Sequence, residues 1–197
     1  MHETPRHAET LGGGPDAAAR RVLELVSARA PRLSGGHLVC VDGPAGSGKT
    51  MLAERLRTEV PGSAVVHMDD LYEGWGGLPT VDRQLTGLLR PLAHGRPGAY
   101  RRWDWHADAW AEQVTVDPAP LLVVEGVGSG SPTVAELVTV LVWVEAPHDQ
   151  RLRRGLDRDG EAFAPHWERW AEAEQRVFDA HRTRERADLV VDAADRG

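Results

Sequence analysis

Gly43-Pro44-Ala45-Gly46-Ser47-Gly48-Lys49-Thr50 satisfies the pattern G-x-x-x-x-G-K-[ST] at every fixed position. In such a stretch the glycines let successive backbone N–H groups converge on phosphate oxygens, the lysine ammonium reaches the β- and γ-phosphates, and the threonine hydroxyl serves Mg²⁺. Gly43, Ala45, Gly46, Ser47, Gly48, Lys49 and Thr50 are therefore the candidate nucleotide-binding residues. Of the 23 basic residues Lys49 is the sole lysine, the rest being arginine. A solvated charge in so arginine-rich a chain would drift to arginine, whereas a site that needs a compact ammonium would not tolerate the change.

Binding a nucleotide does not say what is done with it, so the acids that could face its last phosphate come next. Asp69, with Asp70 beside it, follows the apolar run AVVHM, and Glu125 ends the run LLVVE. A carboxylate at Asp69 can take the proton of a substrate hydroxyl, and one at Glu125 can orient Mg²⁺ through its waters. Thr50, Asp69 and Glu125 form the candidate metal-facing set. Helix capping is the alternative use of either aspartate, and of the two the reading favours Asp69.

Arg151, Arg154 and Arg158 recur at spacings of three and four. On one helical face they could neutralise charge on a transferring phosphoryl group, or pair with neighbouring aspartates in solvent. With Gly155 and Gly160 nearby, residues 151–165 read as a lid that closes and excludes water. Tyr100, Trp103, Trp105 and Trp110 cluster where an acceptor would enter, and core packing accounts for such rings equally well. Asp104, between two tryptophans, reads as a buried carboxylate whose partners would be substrate hydroxyls. Tyr72, Trp103 and Asp104 join Asp69 and Glu125 as candidate acceptor contacts. His67, His106 and His166 show no metal-site spacing and read as structural or surface residues. Cys40 reads as a small buried hydrophobe.

These residues need a frame that brings strand ends together. HLVCVD (37–42), AVVHM (64–68), LLVVE (121–125), VTVLVWV (138–144) and DLVV (188–191) are short apolar runs, as in strands buried on both faces. Helices are expected over 17–29, 51–60, 80–93, 148–158 and 165–182, so strands and helices alternate, which implies a three-layer α/β/α domain with a parallel sheet. Residues 94–119 read as irregular and residues 1–15 as a disordered tail, leaving 16–197 as a single domain that begins with a helix. The C-terminal ends of the strands, where Asp69 and Glu125 fall, are where active sites of open sheets gather.

A length of 197 residues suits one domain, against a prior of about 100 to 200 residues each. The single cysteine excludes a disulfide scaffold. A net charge of −7 argues against a nucleic-acid binder that works through a broad basic face. No apolar run approaches the roughly 20 residues that span a bilayer. The first residues lack the basic-then-apolar order of a secretory signal, so the expected compartment is the cytoplasm and no membrane partner is expected.

GPAGSGKT, then Asp69-Asp70-Leu71-Tyr72, then Val123-Val124-Glu125-Gly126, then Asp149-x-Arg151-Leu152-x-Arg154 after WVEAP resembles the uridine kinase and nicotinamide riboside kinase group of P-loop kinases over residues 37–192. The resemblance implies a P-loop NTPase fold with a five-stranded parallel sheet ordered 2-3-1-4-5. It implies transfer of the γ-phosphoryl group of ATP, with Mg²⁺, to a sugar hydroxyl of a small acceptor. Asp69 then falls at the general base, Glu125 at the metal-assisting acid, and Arg151 and Arg154 at the phosphate clamp, with Arg158 as a third arginine. Thr80-Val81-Asp82-Arg83 and Trp103-Asp104-Trp105-His106 depart from the family's H-P-D-A-like and Y-D-x-x-x-H-x-R segments, which hold the nucleoside. A non-nucleoside metabolite or an antibiotic hydroxyl is thus the alternative acceptor. A hydrolysing switch is a further reading, though the guanine-reading N-K-x-D motif cannot occur where Lys49 is the only lysine.

Overall fold

The computed structural model describes residues 8–160 and 164–194, the side chains of 158 and 159 excepted. Along the chain lie β1 (Glu9–Gly12), α1 (Pro15–Ser27), β2 (His37–Asp42), α2 (Lys49–Glu59), β3 (Ala64–His67), α3 (Asp82–Ala93), β4 (Gly98–Asp104), β5 (Ala109–Val116), β6 (Leu121–Glu125), β7 (Val140–Glu145), α4 (His148–Asp159), α5 (Ala164–His181), α6 (Thr183–Arg186) and β8 (Leu189–Asp192). Single 3-10 turns cover Met68–Asp70 and Gly74–Gly76, both after β3.

Period-two alternation along the central strands feeds two cores. Val39 and Val41 of β2, Val123 of β6 and Val140, Val142 and Val144 of β7 pack with Val22, Leu52 and Leu56 from α1 and α2. Leu38, Cys40, Leu122, Val124, Leu141 and Trp143 point the other way, onto Leu85, Leu88 and Leu89 of α3 and Phe178 of α5. Both faces of the sheet are covered, so these strands contain almost no polar residue until their C-terminal ends. Cys40 is buried as expected, and burial pushes its thiol well above the ordinary range. No described helix is long and apolar enough to cross a membrane.

The expected five-stranded sheet of order 2-3-1-4-5 is corrected to six parallel strands in the order β1-β8-β7-β2-β6-β3. The difference is β1, at the edge beside β8, drawn from residues expected to be disordered. Leu11 is its only sizeable apolar residue. It is held instead by the parallel ladder to Leu189–Asp192 and by Arg21 of α1, which donates to Glu9 at 2.8 and 2.6 Å. Residues 1–7 of the expected tail lie outside the described residues.

Residues 94–119 are not irregular either. β4 and β5 form an antiparallel hairpin with a register break between Arg101 and Trp103. Tyr100 and Trp103 turn inward from β4, and the Trp103 ring meets Trp110 of β5 edge to face at 5.0 Å.

Candidate active site

Three C-terminal strand ends meet here: β2 runs into the Gly43–Thr50 loop, β3 into Asp69, and β6, hydrogen-bonded between them, ends at Glu125. The loop turns on glycines because its neighbours leave no alternative. A Cβ on Gly43 (φ 138°) would lie 2.1 Å from the Val144 carbonyl oxygen, and one on Gly46 (φ 75°) would lie 2.4 Å from that of Arg151. Gly48 is left-handed at φ 99° and gives α2 no side-chain cap, so the first amides of an 11-residue helix are left for another acceptor. The buried Ser47 hydroxyl has no protein partner. Lys49 curls back, its Nζ donating to the Gly43 and Pro44 carbonyls at 2.8 Å each. Uncapped amides, an ammonium and an unsatisfied hydroxyl around one loop fit a polyphosphate chain.

Asp42, which no sequence motif singled out, underpins this loop. It is 0% exposed, and its Oδ1 accepts from the amides of Gly43 at 2.7 Å and Gly128 at 3.0 Å, while Oδ2 accepts from Gly130 at 2.9 Å. Burial raises its pKa from the ordinary carboxylate value, and the amides pull in the opposite direction. The side chain ties the loop after β2 to the loop after β6. Asp42→Ala strands three buried donors at roughly 1 kcal/mol or more each, so a loss of about 3 kcal/mol in unfolding free energy is expected in urea melts. A loss under about 1 kcal/mol would mean that water or a rearranged loop satisfies those amides.

Glu125 is the hub of the metal-facing group. Its Oε1 accepts from the Thr50 hydroxyl at 3.0 Å and lies 2.6 Å from Nδ1 of His67, its register partner on β3. Burial pushes the Glu125 carboxyl up, but the His67 hydrogen bond, the Lys49 charge and the Thr50 hydroxyl together hold it below its usual range. His67 is raised in return, chiefly by its bond to Glu125. His67 is therefore part of the site rather than a bystander; a lone histidine one residue before the Met-Asp-Asp turn carried no such signal. Among the described residues no group of three His, Cys, Asp or Glu side chains could hold a metal. Mg²⁺ needs no such cage, since it is commonly held by one or two protein oxygens together with substrate phosphates. Thr50 and Glu125 fit that donor set.

Asp69 is exposed in the turn after β3, and its carbonyl accepts from Trp105 Nε1 at 3.0 Å. Asp70 is half-buried and faces the hairpin, where the Tyr100 hydroxyl donates to it at 3.3 Å. The two neighbours thus have different surroundings, and Asp69 is the more exposed of the two.

The candidate lid arginines of α4 rest on the P-loop carbonyls. Arg151 Nη1 donates to Ala45 at 3.1 Å, and Arg154 donates to Gly46 at 3.4 Å and to Ala193 at 3.0 Å. The Arg158 side chain lies outside the described residues, as do residues 161–163 within the expected lid.

On the acceptor side the structure redistributes the candidates. Tyr72 is 1% exposed, donates to the Val127 carbonyl at 2.7 Å and packs edge to face on Trp170, so it is a core residue and not a direct acceptor contact. Trp103 is also buried, with its Nε1 unpartnered. Asp104 is not the buried carboxylate expected. It sits partly exposed at the hairpin end, where Oδ1 accepts from the amides of Ala107 and His106 at 3.0 Å, and those bonds lower its pKa. Trp105, 38% exposed, and Trp75 do line this side, the Trp75 ring lying 5.1 Å from that of Trp105 and stacked on His166 at 4.5 Å. Neither Trp75 nor His166 was singled out as a site residue, because only the fold brings the three segments together.

The magnesium chelatase subunit ChlI family matches residues 14–71, the span from α1 through the P-loop to the end of the turn that holds Asp69. No curated protein matches the chain at the level of sequence. Among solved structures, a possible uridine kinase from Bacillus stearothermophilus is similar at 22% identity and TM-score 0.64, covering 90% of this chain and 97% of that one. A chain from Silicibacter sp. TM1040, provisionally described as a fructose transport system kinase, is similar at 22% identity and TM-score 0.65, over 91% and 99% of the two chains. D-glycerate 3-kinase from Cryptococcus neoformans is similar at 14% identity and TM-score 0.58, over 92% and 97%. With a parallel sheet covered by helices and the P-loop at its centre, the chain has the P-loop kinase-like α/β fold.

Proposed function

We propose that this protein is an ATP-dependent small-molecule kinase that transfers the γ-phosphoryl group to a hydroxyl of a nucleoside or another ribose-like acceptor. The observation that carries the reading is the grouping of Lys49, the Thr50–Glu125 pair and the exposed Asp69 at adjacent strand ends. Loop amides and Lys49 bind the phosphate chain. Thr50 and Glu125 would hold Mg²⁺, which would supply positive charge to offset the negative charge developing on the phosphoryl group. Asp69 accepts the acceptor's hydroxyl proton as that oxygen bonds to the γ-phosphorus and the β,γ-bridging P–O bond breaks, releasing ADP.

The non-nucleoside alternative keeps the same chemistry and draws on Asp104, whose Oδ1 is already engaged by the hairpin's own amides. Release of ADP from Mg·ATP across nucleosides, other ribosides and hydroxyl-bearing metabolites tests both readings. Stimulation by a riboside is the expected result, and stimulation confined to non-ribosides favours the alternative. Steady hydrolysis that no acceptor stimulates would overturn both in favour of an ATPase switch.

A further inference from the structure

Glu174 is a buried acid that the proposed chemistry does not use. It lies on α5, 3% exposed, far along the chain from the P-loop it touches. Its Oε2 accepts the Ala45 amide at 2.9 Å, and its Oε1 lies 3.4 Å from Nη1 of Arg151. Burial raises its pKa; the Ala45 amide and the charges of Lys49 and Arg151 act against that rise, while Asp42 adds to it. A loop amide, Lys49 and Arg151 are groups of the kind that would hold phosphate oxygens. Glu174 thus places a carboxylate among the nucleotide's own partners.

The same helix reaches the acceptor side. His166, Trp170 and Glu174 follow one another at spacings of four, so they share one face of α5. His166 stacks on Trp75, and Trp170 meets Trp75 at 5.9 Å and Tyr72 at 5.1 Å. Trp75 in turn adjoins Trp105, which donates to the Asp69 carbonyl. One helical face therefore joins the Ala45 amide to the segment that carries the candidate base.

We infer that Glu174 competes with nucleotide phosphate for the Ala45 amide, and that this competition couples nucleotide binding to the Trp75 segment through α5. The inference rests on the kinase reading, since it requires a nucleotide on the P-loop. The coupling makes the acceptor side respond to a loaded nucleotide and, by reciprocity, makes nucleotide affinity respond to a bound acceptor.

The test compares the wild type, Glu174→Gln and Glu174→Ala by calorimetric titration with Mg²⁺ and β,γ-imido-ATP, a non-hydrolysable analogue, without acceptor. Gln retains an oxygen for the Ala45 amide but not the charge, and thermal melts verify that both variants fold. Glu174→Ala is expected to bind on the order of tenfold tighter, within the usual span of coupling between sites, and Glu174→Gln, whose neutral oxygen competes more weakly than a carboxylate, to bind tighter by a smaller factor. Hydrogen exchange at residues 73–77 is expected to change when the wild type binds the analogue and to stay level in Glu174→Ala. Unchanged affinity in Gln with weaker binding in Ala would reduce Glu174 to a prop for the loop. Tighter binding without the wild-type exchange change would overturn the coupling. Absence of binding to all three proteins would overturn the kinase reading itself, an outcome distinct from wild-type binding that Glu174 does not modulate.

Discussion

Asp69→Asn is expected to lower acceptor-stimulated ADP release by roughly 10²- to 10⁴-fold, the usual worth of a positioned general base, and to shift Mg·ATP affinity by less than about threefold. The asymmetry follows from position. Asp69 projects from the turn after β3, whereas the proposed nucleotide-binding residues lie in the loop after β2. Asparagine preserves size and hydrogen-bonding reach but cannot take a proton from an attacking hydroxyl. Asp70→Asn is the internal control, because that carboxylate accepts from Tyr100 and faces the hairpin. A moderate loss is expected there, through a loosened β4. If Asp70→Asn produces the large loss and Asp69→Asn does not, the base is the second aspartate. Asp69 is also a candidate metal-facing residue, and titration of Mg²⁺ separates the roles: a defect rescued by excess Mg²⁺ belongs to metal binding, one that persists to proton transfer.

The parts of this site that could be read from the chain are those encoded locally. Residues 43–50 form one unbroken motif whose glycines the fold requires at Gly43 and Gly46. The central strands are equally plain, because burial on both faces removes their polar residues and leaves runs such as LLVVE. Polar strands that gain their order from partners were not legible. β1 has one sizeable apolar residue and leans on β8 and Arg21, and β4 has its alternation broken at Arg101 and Arg102, where the register shifts. Side chains whose meaning arises from tertiary contact escaped for a related reason. Asp42 ends an apolar strand like many acids, Glu174 sits in a polar helical sequence, and His67 becomes informative beside Glu125. Asp104 failed in the opposite direction: two flanking tryptophans suggested burial, but Trp105 lies partly exposed, and the aspartate caps a turn.

Lys49→Ala is the harshest expected change on the nucleotide side, lowering kcat/KM for Mg·ATP by about 10²- to 10³-fold, the scale seen when a preorganised donor to developing charge is lost. Lys49 Nζ bonds two carbonyls of its own loop, so its removal also loosens the cradle whose amides hold the phosphates. A melting-temperature measurement separates the two contributions: a drop of only a few degrees with activity lost places the effect on phosphate binding, and a large drop places it on the loop. Lys49→Arg is the sharper discriminator. The chain uses arginine at every other basic position, so a requirement for positive charge alone would be met by arginine. A planar fork cannot follow the tight path between the Gly43 and Pro44 carbonyls and the nucleotide as a compact ammonium does, so arginine is expected to restore less than about a tenth of the activity. Near-normal turnover in Lys49→Arg would show that the loop needs only charge, and the survival of a single lysine would lose its functional reading.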